Sequence, residues 1–95
     1  MRLSNYEIQM IRESFKNVFG IGKIYLFGSR VDDEQKGGDI DLYIQTTPEN
    51  TTLEKKIAFL VTLKSKIGEQ KIDVVISKDV NRLIEQEAIT KGIEL

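Results

Sequence analysis

Cysteine and histidine are both absent from this 95-residue chain. Their absence excludes disulfides, thiolate nucleophiles, zinc-finger sites and imidazole general bases. Any metal held by these side chains is therefore oxygen-ligated and hard. No apolar run approaches the length of a membrane span, and Met1 to Glu7 carries no apolar leader stretch, so the expected location is the cytoplasm. An excess of charge of one sign is lacking too: 14 Lys and Arg stand against 15 Asp and Glu, for a net charge of −1. There is no overall basic field of the kind that favours non-specific nucleic-acid binding, and direct contact with a polyanion is left only a local patch. The length suits a single domain over residues 1–95, with one core and no repeat, linker or low-complexity segment. Substrate selectivity is then expected to draw on a partner.

What is present is an alternation of helical and strand-like patterns. Ser4 with Glu7 forms a capping box, and Ile8, Ile11, Phe15, Val18 and Phe19 recur at helical spacing, which predicts a helix from about Asn5 to Phe19. Gly20 and Gly22 end it, and Lys23 to Phe27 reads as a short strand buried on both faces. The polar stretch from Val31 to Gly37 reads as a short helical turn and a mobile loop. A strand follows over Asp39 to Thr46, then a turn at Thr47-Pro48-Glu49-Asn50 that holds the single proline. Thr51 with Glu54 makes a second capping box, and Leu53, Ile57, Leu60, Leu63, Lys64 and Ile67 outline a helix closed by Gly68. Lys71 to Ser77 is a β-branched strand, and Val80 to Lys91 a helix with Leu83, Ile84, Ala88 and Ile89 on one side. The tail Ile93-Glu94-Leu95 is left to pair or fray. These elements favour an α/β or α+β architecture, a small sheet flanked by amphipathic helices.

The chemistry gathers between Lys23 and Thr46. Alternation along a strand puts Asp39, Asp41, Tyr43 and Gln45 on one face and Ile40, Leu42 and Ile44 on the other, so two carboxylates project side by side. Such a pair repels unless a cation sits between the charges, and clustered carboxylates suit two Mg²⁺ ions about 3.5 to 4 Å apart. Upstream, Gly28 allows close backbone approach, Ser29 offers a hydroxyl, and Arg30 has the donor geometry to clamp a phosphate oxygen. Asp73 interrupts an apolar strand, and a buried carboxylate there requires a partner. Each part alone has a plainer reading. A lone D-x-D is more often solvent-facing than catalytic, Gly28-Ser29 also suits a strand-ending turn, Arg30 also suits pairing with Asp32 or Asp33, and Asp73 also suits a salt bridge. The lysines at 55, 56, 64, 66 and 71 read as a solvated face, and the Asn50-Thr51-Thr52 sequon as a loop and cap. Together the parts suit phosphoryl or nucleotidyl transfer.

Gly28-Ser29-Arg30, Gly38-Asp39-Ile40-Asp41-Leu42 and Ile72-Asp73-Val74-Val75 resemble the minimal nucleotidyltransferases of the DNA polymerase beta superfamily, from about Ile8 to Gly92. The likeness is greatest to the small proteins that act as antitoxin to a HEPN-domain ribonuclease. It implies the nucleotidyltransferase fold with a small mixed β-sheet, Asp39, Asp41 and Asp73 as metal ligands and catalytic carboxylates, and Gly28 and Ser29, with Arg30, at the nucleotide. It also implies Mg²⁺ as cofactor, ATP as substrate, and AMP transfer to a tyrosine hydroxyl of a HEPN partner. Relatives commonly carry a small residue where Val31 stands, Gly near Asp33, and Ser where Gly38 stands; these departures touch the loop and not the carboxylates. Two further readings stay open: a non-catalytic antitoxin that neutralises its partner by contact, and a transferase acting on RNA ends or a small molecule. Nucleotide preference, acceptor residue and oligomeric state, with itself or with a partner, are left open by the sequence.

Overall fold

A computed structural model describes residues 1–34 and 38–95. The first helix, α1, spans Asn5–Val18; its Ser4 cap accepts from the Glu7 N–H while Glu7 reaches back to the Ser4 N–H, as the capping box requires. Strand β1 (Lys23–Phe27) runs into a 3₁₀ turn at Gly28–Val31, and β2 covers Ile40–Gln45. A second 3₁₀ turn, Pro48–Asn50, precedes α2 (Leu53–Ile67), then come β3 (Ile72–Ile76), α3 (Leu83–Lys91) and the short β4 (Ile93–Glu94).

The sheet order is β3-β2-β1-β4. β1 lies antiparallel to both β2 and β4, and β2 lies parallel to β3. A parallel pair needs a crossover, and α2 supplies it. Helices α1 and α2 cover one face. Ile11, Phe15, Phe19, Phe59 and Leu63 pack there against Ile24, Leu26, Ile40, Leu42, Ile44, Ile72 and Val74. The other face carries a smaller cluster in which Ala88 and Ile89 of α3 meet Phe27, Tyr43, Tyr25 and Val75. This is the small α+β fold with a mixed sheet that the element pattern favours, and the tail pairs with β1 through Leu26 opposite Ile93.

Several details depart from the sequence pattern. The 3₁₀ turn sits at Gly28–Val31, ahead of the turn expected within 31–37, whose residues 35–37 lie outside the described part. Thr52, not Thr51, caps α2, accepting from Lys55 N–H at 3.2 Å. Leu53 and Ile57 do not join the core: they stand 70% and 51% exposed, because burial goes to Phe59 and Leu63, Ile57 points about 200° from Phe59, and Leu53 shares the side of Ile57 one turn earlier. Helix α3 starts at Leu83 rather than Val80, and Leu83 is 89% exposed.

The rotation of α3 is fixed by Glu85. Its carboxylate is fully buried and accepts from Tyr43 Oη (2.7 Å), Ser77 Oγ (2.6 Å), Lys78 N (3.0 Å), Asp79 N (2.9 Å) and Arg82 Nη1 (3.3 Å). Burial alone would raise its pKa. The hydrogen bonds from Ser77, Asp79, Lys78 and Tyr43 outweigh that and hold it at about 2. Turning Glu85 inward turns Leu83 out.

Candidate active site

The two strands that carry the carboxylates lie side by side. In the β1–β2–β3 register Phe27 is opposite Asp41, and Asp41 is opposite Asp73. Neighbouring strands are spaced about 4.8 Å apart and matched residues share a face, so Asp41 and Asp73 form an acidic row on the side of the sheet that α3 covers. Burial raises the pKa of Asp41, and the negative charges of Asp73 and Asp39 raise it further, with Lys71 opposing. A carboxyl group held in that field gains from a cation.

Glycine makes room for the row. Gly28 has φ +76, and a Cβ built on it would fall 2.3 Å from Asp41 Oδ2. Gly38 has φ +88, and its Cβ would fall 2.1 Å from Ser29 Oγ. Both positions therefore combine a left-handed backbone with contact too close for any side chain. The two glycines bring the Gly28-Ser29 turn against Asp41 on one side and against the approach to β2 on the other.

Asp39 lies just ahead of β2, half-buried, with Oδ2 3.4 Å from Lys71 Nζ. Among the described residues no three acidic side chains converge as a ready-made metal ligand set. The structure thus brings Asp41 and Asp73 together and leaves Asp39 paired with a lysine. Asp73 itself is exposed, contrary to the expectation of a buried carboxylate in need of a partner: its flanking residues Ile72 and Val74 turn into the core under α1 and α2, whereas Asp73 projects from the opposite face, where the smaller α3 cluster does not reach it.

Arg30 is placed differently from a phosphate clamp. Its Nη1 donates to Arg2 O (2.9 Å), its Nε to Gly38 O (3.2 Å) and its Nη2 to Gln70 Oε1 (3.5 Å). Arg2 reciprocates, donating from its own N–H to Arg30 O (2.7 Å), from Nη2 to Ser29 O (3.0 Å) and from Nε to Asp32 O (2.9 Å). The two arginines lace the Gly28–Val31 turn to the N-terminus and to Gly38. Asp33 meets the Met1 ammonium instead of Arg30.

The structure adds residues that local sequence patterns did not reveal. An open cleft of about 400 Å³ beside the turn is lined by Gly28, Ser29, Val31, Asp32, Glu87 and Lys91. Lys91 arrives there because α3 ends against β1: a Cβ on Gly92 would come 2.9 Å from Leu26 O. The signal available in the sequence was only a lysine at the end of a helix before glycine, which ordinary C-terminal capping explains.

An acidic row beside a glycine-serine turn, with a lysine across the cleft, is an arrangement suited to cation and phosphate chemistry on a mixed sheet. The family model described as Polymerase beta, Nucleotidyltransferase matches residues 9–95, and the chain belongs to that family of transferases. A search of curated proteins returns no match. Among the described residues no helix is long and apolar enough to cross a membrane.

Proposed function

We propose that the protein is a Mg²⁺-dependent minimal nucleotidyltransferase that moves AMP from ATP to a hydroxyl, a tyrosine of a HEPN-domain toxin, and serves as that toxin's antitoxin. The observation that carries the transfer reading is the adjacent pair Asp41 and Asp73, with burial and like charge raising the pKa of Asp41 directly beside Gly28. The HEPN partner rests on the sequence resemblance alone. Asp41 and Asp73, already side by side, would hold Mg²⁺, with Asp39 joining them on release from Lys71, and the ion would neutralise the triphosphate and the departing pyrophosphate.

The chain's own groups divide the remaining work. The Gly28-Ser29 turn and Lys91 line the cleft that would take the phosphates; Lys91 is its one basic group, and Asp32 and Glu87 in the same lining make the metal ion necessary to balance the phosphate charge. Asp73, exposed at the edge strand, is open to an incoming hydroxyl and would take its proton. The acceptor oxygen forms a bond to the α-phosphorus as the bond to the bridging oxygen breaks and pyrophosphate leaves. Histidine is not required.

Intact-mass measurement of both chains after incubation of the protein with a HEPN-domain partner, Mg²⁺ and ATP tests the reading. The expected result is one or more AMP units on the partner and none with Asp41→Asn, a variant that stays folded and gains up to about 1 kcal/mol of stability as repulsion is relieved. Asp41→Asn transferring at the wild-type rate would overturn the role of the row. A second reading is a contact-only antitoxin whose site is a relic. A stable complex without added mass would select it.

A further inference from the structure

The sheet stops at β3, and the backbone there is unfinished. Lys71 O accepts from Ile40 N at 3.1 Å and Ile44 O accepts from Ser77 N at 2.8 Å, which sets the phase of the parallel ladder. Residues 71, 73, 75 and 77 turn their backbone groups toward β2, and Ile72, Val74 and Ile76 turn theirs outward. Among the described residues no strand lies beyond them.

A groove of about 320 Å³ straddles this edge, lined by Leu53 and Lys56 of α2, Val74 and Ile76 of β3, and Lys78 and Arg82 on the approach to α3. Ile57 and Val61, 51% and 64% exposed, extend the apolar lining along α2. Every charged side chain lining the groove is basic, in a chain whose net charge is −1. Lysine often serves only to blunt a free edge, but it does so from the edge strand itself. Here Lys56 comes from α2, in the layer above, and Lys78 from the loop two residues beyond β3, and between them lies an apolar floor.

We propose that this edge docks an extended segment of a partner protein in which apolar and acidic residues alternate, added as a fifth strand beside β3. Side chains of an added strand point alternately to the two layers. Apolar ones would meet Leu53 and Ile57, and acidic ones Lys78, with Lys56 at the rim and Arg82 already paired with Glu85. A second copy of this chain is a poorer occupant, because it would bring a second basic groove, with its own Lys56 and Lys78, into the same interface. The docking does not depend on nucleotide transfer.

Two synthetic octapeptides, alternating Val with Glu or Val with Lys, test the inference on the ¹⁵N-labelled protein. The Glu peptide should shift the amide resonances of Ile72, Val74 and Ile76, slow their hydrogen exchange, and lose binding when its alternate amides are N-methylated. It should bind about tenfold more tightly than the Lys peptide, as two or three rim charge pairs allow. Lys56→Glu combined with Lys78→Glu should reverse that preference; if the pair unfolds the protein, the exposed Lys78→Glu alone should narrow it. Equal binding of the two peptides, or shifts confined to other residues, overturns the proposal. So does concentration-dependent protection of the same three amides without peptide, which would assign the edge to a second copy.

Discussion

Replacing Gly28 with alanine separates a backbone effect from a site effect. The backbone part follows from φ +76, which costs an L-residue about 1 kcal/mol. The site part follows from the new Cβ, which would lie 2.3 Å from Asp41 Oδ2, 3.1 Å from its Cγ and 3.3 Å from its Cβ. Such overlap forces the carboxylate from its rotamer or shifts the strand, at a further cost of roughly 1–3 kcal/mol. Gly20 provides the reference. Its φ is +80, but the nearest atom to its added Cβ is Lys16 O at 3.9 Å, so Gly20→Ala should lose only the backbone part. Urea unfolding should therefore place Gly28→Ala about 2–4 kcal/mol below wild type and Gly20→Ala about 1 kcal/mol below it. In an Asp41→Ala background the two nearest atoms, Oδ2 and Cγ, are gone and only the 3.3 Å contact with Cβ remains, so the cost of Gly28→Ala should shrink by about 1–2 kcal/mol. Simple additivity of the two substitutions, or equal costs at positions 20 and 28, would refute the claim that Gly28 is glycine in order to seat Asp41.

Lys91→Ala should raise the KM for nucleotide about tenfold with a smaller change in kcat, since it removes a charge that acts on bound phosphate before and during transfer; an unchanged KM would take Lys91 out of the site. Glu85→Gln should cost about 3–4 kcal/mol at pH 7, because the carboxyl is held at about 2 against 4.5 in the unfolded chain and each unit is worth about 1.4 kcal/mol. The sign is that of a depressed acid: the contribution is complete above about pH 5 and drains away as pH falls from 4.5 toward 2. Urea midpoints for wild type and Glu85→Gln should converge over that window, and parallel curves would show that the five donors do not favour the charged form.

The sheet and its polar row were legible where a local pattern dictated them. Period-two alternation in Ile40–Gln45 puts Ile40, Leu42 and Ile44 in the core, and the capping box at Ser4 sets the start of α1. Matters of contact across the chain were not legible. Asp73 looked buried because its neighbours are β-branched, yet those neighbours bury the opposite face of β3, and whether the face of Asp73 is covered depends on where α3 packs, which the local sequence does not show. Arg30 offered donors suited to phosphate, but the partners that engage them come from Arg2, Gly38 and Gln70, none of which its local sequence predicts. Leu83 and Leu53 looked like core because apolar residues were counted on a helical face. In α3 the choice of face was made by Glu85, whose donors come from β2 and from the loop after β3.

The two proposed capacities meet on β3, within five residues, and strand geometry keeps them apart. The carboxylate of Asp73 projects from the face of the sheet beside Asp41, whereas the outward amides of Ile72, Val74 and Ile76 lie in the plane of the sheet. A side-chain change at 73 therefore leaves the edge available for docking, and N-methylated or proline-containing peptides that fail at the edge leave the carboxylate row untouched. Chemistry on the face and recognition at the edge can each be lost alone. A strand carrying both would set a docked segment within one strand spacing of the group assigned to receive the acceptor's proton.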